Sequence, residues 1–237
     1  TRLVSQTGSG DQSITGITGP VKATTGSGNV SVFNAGGETV VETGSGDVEL
    51  DSIKGNVRAS TGSGNITASR VSGGLRGRTG SGDIKFDQSA SGDADVETGS
   101  GNIQLSNLNG ALHASTGSGD ISADGQPRGQ WELGTGSGSV RLDLAEKSSY
   151  ELDLSTSSGS IDVTHPVTVQ GRITRHSLRG KVGDGGPLVR VHTGSGDITA
   201  TESAYEPEFK GDRDIFVAKL NPQAAGAESL LYFTYIG

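Results

Sequence analysis

Residues 43–51 are Thr-Gly-Ser-Gly-Asp-Val-Glu-Leu-Asp, and residues 52–60 continue with Ser-Ile-Lys-Gly-Asn-Val-Arg-Ala-Ser. The two halves match position by position, so that Gly46 aligns with Gly55 and Val48 aligns with Val57. Each half begins with turn-forming residues that end on a glycine and continues with residues typical of a strand. Together they predict an 18-residue unit that contains two short strands, each preceded by a turn.

The motif Thr-Gly-Ser-Gly recurs along the chain at a nearly constant spacing. Its first five copies begin 18 residues apart, and later copies follow at similar spacings with one longer gap before the last. A fixed short period is the signature of a repeat architecture, in which similar units stack on one another. The motif threonines, including that of the degenerate copy Thr-Ser-Ser-Gly at Thr156, are Thr7, Thr25, Thr43, Thr61, Thr79, Thr98, Thr116, Thr135, Thr156 and Thr193.

Apolar and polar residues alternate on both sides of each motif. Val48 and Leu50 flank Glu49 after one motif, and Val57 and Ala59 stand before the next. Period-two alternation over a short run predicts a strand with one buried face. We therefore expect the following residues to point into the core: Val48, Val57, Ile66, Ile84, Ile103 and Ile121.

A third apolar position recurs ten residues after the motif threonine, which suggests a short third side to each repeat. Equivalent strands of successive repeats should pair in parallel, about 4.8 Å apart. The predicted fold class is all-β. It is a single-chain parallel β-solenoid of about 18 residues per rung, with two main strands plus a short third side. The residues at the third position are Ile17, Ala35, Ile53, Val71 and Leu108.

Composition fits a narrow core and argues against several classes of function. Hydrophobic residues make up 30% of the 237 residues and aromatic residues 4%, which is low for a layered globular domain. The net charge of −8 and the dispersed Lys and Arg residues disfavour nucleic acid or an anionic membrane as a partner.

Cysteine is absent, which excludes disulfides and Cys-based metal sites. No apolar run approaches the roughly 20 residues of a membrane span. The lack of an initiating Met predicts a mature or excised piece.

The pattern weakens between Ala145 and His192, and the composition changes near residue 202. Residues 183–187, Gly-Asp-Gly-Gly-Pro, predict a loop. We expect a solenoid domain over residues 1–201 and a small C-terminal β element of two or three antiparallel strands over residues 202–237. The last run is the most apolar and aromatic in the chain, and it supplies the candidate assembly residues Leu230, Leu231, Tyr232, Phe233, Tyr235 and Ile236.

The residue that follows each motif is the best candidate for metal chemistry. Asp and Asn alternate there along much of the chain, and Asp47, Asp83 and Asp120 are weak candidates for calcium. Calcium β-rolls also place Asp in glycine-rich turns, but calcium needs six to eight oxygen ligands. The favoured interpretation is a turn residue that tolerates unusual backbone angles and bonds its own turn. Neither a metal ion nor a cofactor is therefore expected.

Two further functions are disfavoured by the same residues. Flat threonine arrays on solenoids bind ice, but Thr61 continues the inward series of Val57 and Ala59. A buried threonine row with hydroxyl bonds from rung to rung is therefore the simpler interpretation. The chain is also not expected to be an enzyme, because its histidines are scattered. The cluster of Arg76 and Arg78 near Asp95 and Glu97 fits exposed cross-strand ion pairs.

The repeats carry a resemblance to a known family. Residues 1–201 resemble the bacterial DUF4097-type adhesin or solenoid domains with Thr-Gly-Ser-Gly-Asp-Ile repeats, most clearly at residues 188–198. The resemblance implies a secreted or cell-envelope setting in bacteria and no established catalytic activity. Residues 204–237 resemble one repeat of a bacterial β-propeller family (SBBP type), through Asp-Ile-Phe-Val-Ala-Lys-Leu-Asn at 214–221 and Tyr-Phe-Thr-Tyr-Ile-Gly at 232–237. A propeller needs several blades, so that fold is not implied here.

The sequence thus predicts a non-enzymatic extracellular structural solenoid, such as a surface stalk or filament subunit. The alternative is an adhesin-like binding module for glycan or protein, and a calcium-binding or ice-binding solenoid is more remote. Because an open solenoid exposes unpaired backbone at its ends, the C-terminal strands are expected to cap their own solenoid or to dock on a neighbour, head to tail. The expected partners are the chain itself or a cell-surface glycan or protein, without nucleic acid and without membrane insertion.

Overall fold

The computed structural model of the chain describes residues 2–145, 148–164, 166–169, 174–203, 215–220 and 230–236. The chain forms two compact units, Thr1–Ser203 and Ala204–Gly237. Each named secondary-structure element among the described residues is a β-strand, which confirms the predicted all-β class. The described part of the second unit contains two strands, which pair antiparallel with each other.

The strands are numbered in chain order. Two of them, β12 and β13, are much longer than the others, because each continues without a break from one side of the solenoid to the next. The strands of the first unit are β1 (Leu3–Ser9), β2 (Gln12–Thr15), β3 (Val21–Ser27), β4 (Val30–Ala35), β5 (Thr39–Thr43), β6 (Val48–Ile53), β7 (Val57–Thr61), β8 (Ile66–Val71), β9 (Leu75–Thr79), β10 (Ile84–Gln88), β11 (Ala94–Thr98), β12 (Ile103–Ser118), β13 (Ile121–Ser137), β14 (Val140–Ala145), β15 (Tyr150–Ser158), β16 (Ile161–Val163), β17 (Val167–Val169), β18 (Ser177–Val182), β19 (Leu188–Ser195) and β20 (Ile198–Ser203). Those of the second unit are β21 (Ile215–Leu220) and β22 (Leu230–Ile236).

The strands stack in parallel along two sides of the solenoid. Strands that lead into a motif threonine form the side called sheet 1, where β3 pairs with β5 and Thr25 lies opposite Thr43. Strands that follow the motif form the side called sheet 2, where β4 pairs with β6 and Val30 lies opposite Val48. Both pairings join residues 18 positions apart. The predicted parallel β-solenoid with about 18 residues per rung is therefore confirmed.

A left-handed residue near the end of several sheet-2 strands bends the chain and produces the predicted third side. In β6, for example, Ser52 has a φ of 58° and the next residue, Ile53, is buried. The bend turns the strand inward once more before the next turn begins. Among the described residues, the four non-glycine residues with positive φ are Asn34, Ser52, Arg70 and Asn107, and the buried residues that follow them are Ala35, Ile53, Val71 and Leu108.

The alternate residues that were predicted to point into the core do so. Each of the six residues predicted to point inward is at most 3% exposed, whereas Glu49 and Gln104 are exposed. The larger side chains of Phe86 and Trp131 are also fully buried. Since the two sheets face each other across a single layer of side chains, each rung contributes a few apolar residues to one continuous core.

Glycine is required at the motif because successive rungs touch there through their backbones. A Cβ atom added at Gly44 would lie 2.4 Å from the carbonyl oxygen of Gly26, one rung earlier. At Gly46 the corresponding distance to the carbonyl oxygen of Gly28 is 2.1 Å, and Gly46 also has a φ of 153°. Any larger residue at these positions would push two rungs apart.

The order of the last rungs differs from the order of the sequence. Strand β19 lies between β13 and β15, so that Thr193 pairs with Thr135 on one side and with Thr156 on the other. Strand β20 likewise lies between β14 and β16. The expectation that successive rungs pair in chain order is therefore wrong here. The last repeat is inserted one place ahead of the rung formed by β15 and β16.

An antiparallel pair and a glycine-rich loop make this insertion possible. Strand β18 pairs antiparallel with the outer edge of β15, and β17 pairs antiparallel with β18. The predicted loop at residues 183–187 then carries the chain past the start of β15 into β19. A Cβ atom at Gly183 would lie 2.4 Å from the Ser149 hydroxyl oxygen, and the Asp184 N–H donates to that oxygen at 3.4 Å. Glycine thus permits the close crossing.

The inward and outward orientation of neighbouring residues on β12 gives a direct prediction. Ile103→Asp should lower the free energy of unfolding by about 3 kcal/mol or more, because it buries an unpaired carboxylate. The matched control is Gln104→Asp, which places the same charge on the outer face of the same strand and should change stability by about 0.5 kcal/mol or less. Urea titration of both variants measures the difference. Equal losses would contradict the assigned orientation of β12.

Candidate functional site

The motif threonines form a buried row at the corner between sheets 1 and 2. Thr61 is 4% exposed, and its Oγ1 donates to the carbonyl oxygen of Gly46 at 2.9 Å. Thr43 donates in the same way to Gly28, again one rung earlier, at 3.0 Å. The predicted threonine row with bonds from rung to rung is therefore confirmed. Because these hydroxyls are buried and used within the fold, the row does not present the exposed threonine array that ice binding needs.

The Asp and Asn residues that directly follow each Thr-Gly-Ser-Gly motif form a second row of side chains, on the outside of the corner. The Asn65 N–H donates to Asp47 Oδ1 at 2.8 Å, and the Asp83 N–H donates to Asn65 Oδ1 at 2.9 Å. The same bond joins Ser139 to Asp120 at 2.8 Å. Each side chain thus holds the backbone of the following rung.

Two expectations about this row are corrected by the geometry. The side chains were expected to bond their own turn, but their oxygen atoms accept from the next rung instead. They were also expected to adopt unusual backbone angles, but the non-glycine residues with positive φ in the described ranges lie at the sheet-2 bend instead. A carboxylate or amide suits the position because it supplies an acceptor that reaches one strand spacing away.

The outer face of sheet 1 carries the predicted ion pairs. Arg76 Nε lies 2.9 Å from Asp95 Oδ2, and Arg78 Nε lies 3.4 Å from Glu97 Oε2. Asp95 is partly buried and the other three side chains are exposed, so the pairs contribute little to stability. They join neighbouring strands β9 and β11, in which Arg76 lies opposite Asp95 and Arg78 lies opposite Glu97.

The comparisons with known proteins agree with this stacked geometry. A family model described as Toastrack DUF4097 matches residues 39–201, more than half of the chain. The chain belongs to this Toastrack family. No curated protein and no solved structure matches the sequence. The matched region ends before the second unit, so the resemblance of residues 204–237 to a propeller repeat stays a prediction.

The corner of the Toastrack solenoid offers few free ligands for a metal ion. Asp47 and Asp83 are separated by the rung of Asn65, which places them two strand spacings, about 9.6 Å, apart. Each also accepts a backbone hydrogen bond from the next rung. In the described ranges, no group of three or more His, Cys, Asp or Glu side chains is placed to share an ion. Each carboxylate of the row therefore stands alone, and the row does not supply the six to eight oxygen ligands that calcium needs.

Two described histidines of the Toastrack solenoid contact polar side chains of neighbouring strands. His113 Nδ1 is 3.9 Å from Glu132 Oε2 on the outer face of sheet 1. His192 Nδ1 is 3.1 Å from the Ser155 hydroxyl oxygen. This Ser–His contact is exposed, and within the described chain no carboxylate hydrogen-bonds to His192 to orient it as a triad would require. His165 lies outside the described residues.

The candidate assembly residues lie on β22 of the second unit. The register pairs Ile215 with Ile236 and Phe216 with Tyr235, and β21 pairs with β22 along most of its length, with a shift in register between Lys219 and Leu220. Their role in assembly stays a prediction. Within the described residues, no helix is long and apolar enough to span a bilayer.

Sequence reasoning missed two features of the Toastrack solenoid. The sheet-2 bend uses Asn34 and Asn107, which tolerate positive φ, but also Arg70 and Ser52, whose residue types give no such signal. The insertion of β19 has no sequence signal in the motif itself, because the copy at Thr193 is as regular as any other. The glycine-rich stretch at residues 183–187 predicted a loop but not where the loop leads.

The Asp/Asn row predicts insensitivity to chelators. Because the carboxylates act through backbone hydrogen bonds within the stack, EDTA should leave the melting temperature unchanged, and added calcium should not raise it. Calorimetry or circular dichroism of chelated and calcium-loaded samples tests this. A large drop with EDTA that calcium reverses would show that the corner holds calcium after all.

One carboxylate of the row also predicts a dependence on pH. The Ser160 N–H and hydroxyl both donate to Asp197 Oδ1 at 2.8 Å, which lowers the pKa of Asp197. A lowered folded-state pKa means that the carboxylate stabilises the fold at neutral pH and that this contribution is lost as the pH falls through that pKa. Asp197→Asn should therefore be less stable than the natural chain at neutral pH, and the difference should vanish in strong acid.

Urea unfolding of both proteins at neutral and strongly acidic pH measures this effect. The matched control is Asp162→Asn, which removes an exposed carboxylate that forms no hydrogen bond within the described residues. The stability of this variant relative to the natural chain should change less between neutral and strongly acidic pH. The Ser160 bonds would be unimportant if Asp197→Asn tracked the natural protein at both pH values.

Proposed function

We propose that this Toastrack chain is a non-enzymatic structural subunit of the bacterial cell envelope or of a secreted assembly. It acts as a stalk or filament element that associates with itself through its C-terminal strands. The observation that carries this proposal is the use of the polar corner residues, since the Thr and Asp/Asn side chains bond the neighbouring rung. The residue types that would otherwise suggest chemistry serve the stack, which supports a scaffold as the function.

The second unit supports self-association. It consists, in its described part, of the two paired strands β21 and β22. An isolated two-stranded antiparallel pair is marginally stable in water at best. Residues 230–236, Leu-Leu-Tyr-Phe-Thr-Tyr-Ile, are also too apolar for a strand that stays exposed. The pair therefore needs a further sheet edge or apolar surface to pack against, either in its own chain or in a neighbour.

An adhesin-like binding module for glycan or protein is the second candidate, and one observation favours it. Arg58 lies directly opposite Arg76 on neighbouring strands β7 and β9, and like charges in this position destabilise a sheet. Arg76 is paired with Asp95, whereas Arg58 forms no ion pair within the described residues. A partner that carries acidic groups would relieve the repulsion.

Deletion of residues 204–237 tests the structural proposal. The truncated chain should keep its solenoid, because the unit Thr1–Ser203 holds the continuous core, but it should no longer self-associate. Light scattering coupled to gel filtration and negative-stain microscopy of both chains measure the change. If the truncated chain unfolds or aggregates, the segment is a cap. If the intact chain stays monomeric at high concentration, the filament proposal is wrong.

A further inference from the structure

The outer face of sheet 1 carries two arginines side by side in the middle of the stack. Arg58 on β7 lies directly opposite Arg76 on β9, and Ser60 lies opposite Arg78. Strand β7 also pairs with β5 on its other edge, and β9 also pairs with β11. Two positive charges therefore face solvent one strand spacing apart, about 4.8 Å, on strands that are paired on both edges.

This like-charge pair differs from the rest of the same row further along sheet 1. There each charged residue lies opposite a residue of the other sign or opposite a histidine. From Arg76 the row continues, in order of pairing, through Asp95, His113, Glu132, Arg190 and Asp153. Arg58 instead has Val40 on its other side. Because like charges in this position destabilise a sheet, the packing of the sheet gives no reason for a positive charge at residue 58.

The two arginines border a shallow cleft where β7 and β9 begin, with a volume of about 290 Å³. The polar side chains that line the cleft are those of Glu38, Asn56, Arg58, Arg76, Asp93 and Asp95. A second cleft of about 310 Å³ shares Asp93 and Asp95 and continues the groove across the next strands. The first cleft therefore combines guanidinium donors with carboxylate and amide groups.

The fold orients polar groups of this cleft and leaves atoms of them unused. Arg76 donates through Nε to Asp95 Oδ2 at 2.9 Å, and its two terminal nitrogens form no hydrogen bond in the described part of the chain. Asp93 Oδ1 accepts from the Ala111 N–H at 2.9 Å, and its Oδ2 has no partner among the described residues. Each side chain is thus held by one bond and offers a second group, as a preorganised site requires.

We infer that this cleft binds an acidic glycan, with a sugar carboxylate held between Arg58 and Arg76 and sugar hydroxyls donating to Asp93. The inference rests on the second candidate function, the binding module, and names its site and its ligand class. A guanidinium group offers N–H donors in a planar arrangement that matches a carboxylate. Two such groups on neighbouring strands hold one carboxylate between them, which relieves their repulsion. The sugar hydroxyls supply the donors that Asp93 Oδ2 lacks.

The surroundings favour a glycan over an acidic protein. Protein interfaces are anchored by buried aromatic and apolar side chains. In the described part of the chain, the exposed large hydrophobic residues are Val4 and Val169, and neither of them lines the cleft. The polar lining instead suits a ligand that is recognised through charge and hydrogen bonds.

The charges along the groove argue against nucleic acid. Nucleic acid carries a phosphate at each nucleotide and is bound by basic surfaces that neutralise several phosphates. Here the charge changes sign beyond Arg76, because Asp95 lies one strand spacing further on and Glu132 lines the adjoining cleft. One acidic group fits the cleft, and a second one beside it is repelled. The expected ligand therefore alternates acidic and neutral sugars.

Binding of a hyaluronan hexasaccharide, in which acidic and neutral sugars alternate, tests the site in the full-length chain. Isothermal titration calorimetry of Arg58→Gln should give a dissociation constant about tenfold higher or more, because a charge-assisted bond to the carboxylate is lost. Arg58→Lys keeps the charge without the planar donors and should fall between Arg58→Gln and the natural chain. The matched control is Arg141→Gln, which removes an exposed arginine from β14 of sheet 2 and should leave binding unchanged.

The melting temperature separates a binding role from a structural one. Because Arg58→Gln removes one of two neighbouring like charges, its melting temperature should equal or exceed that of the natural chain. A clearly less stable variant would show that Arg58 supports the sheet, and the inference would be wrong. Hyaluronan binding by the natural chain should also weaken as salt is added.

Three further probes distinguish the inference from the proposed function. A neutral chitin hexasaccharide should bind about tenfold more weakly than hyaluronan or less, and hexaglutamate and a DNA hexamer should not bind measurably. If Arg58→Gln binds hyaluronan as well as the natural chain does, or if hexaglutamate binds in its place, the inferred site or ligand class is wrong and the binding-module candidate stands. If DNA binds, or if no probe binds, the inference and that candidate both fail. The structural proposal is tested separately by the deletion of residues 204–237.

Discussion

The close approach of backbones at the motif corner is the constraint on which this structure depends. Where Gly44 follows Gly26 in the stack, a single added methyl group would lie 2.4 Å from a carbonyl oxygen, well inside van der Waals contact. That approach lets the strands on either side keep an ordinary parallel spacing, and it brings the Thr hydroxyl within reach of the preceding rung. The narrow core, the threonine row and the Asp/Asn row all follow from it.

The same constraint explains why residues that suggest chemistry support a scaffold instead. A hydroxyl that donates to the rung before it, or a carboxylate that accepts from the rung after it, stabilises a neighbour by about 1 kcal/mol. Repeated at each rung, these bonds hold the register of the stack. Side chains such as Thr61 and Asp47 are therefore engaged in the fold, which supports a function in the length, the faces or the ends of the solenoid.

The ends are where a stack of this kind must differ from its middle. Interior strands such as β7 have a partner on both edges, but the first and last strands of a sheet do not, and free edges invite pairing. This chain covers one sheet-1 edge with the antiparallel strand β18. It also carries a second antiparallel pair at its C-terminus. The proposed self-association uses these C-terminal strands, because an isolated two-stranded pair needs a further edge or surface to pack against.

The sequence alone determined the repeat, the buried face of each strand and the Thr-Gly-Ser-Gly corner. Val48, Ile66 and Ile84 recur at a fixed spacing and alternate with polar residues, and a period of two can be satisfied only by placing them on one buried face. The buried threonine row followed from the same parity. These features are local, so each rung encodes them independently and nine copies of the motif repeat the same information.

Only the tertiary structure decided the order of the last rungs and the targets of the polar side chains. The copy at Thr193 can pair equally well with any neighbouring motif, so its position between Thr135 and Thr156 depends on where the β15–β18 pair and the glycine-rich crossing leave space. The Asp/Asn bonds reach across rungs rather than within a turn for a similar reason. Identical repeats specify how a rung stacks, but long-range connections specify which rung it stacks on.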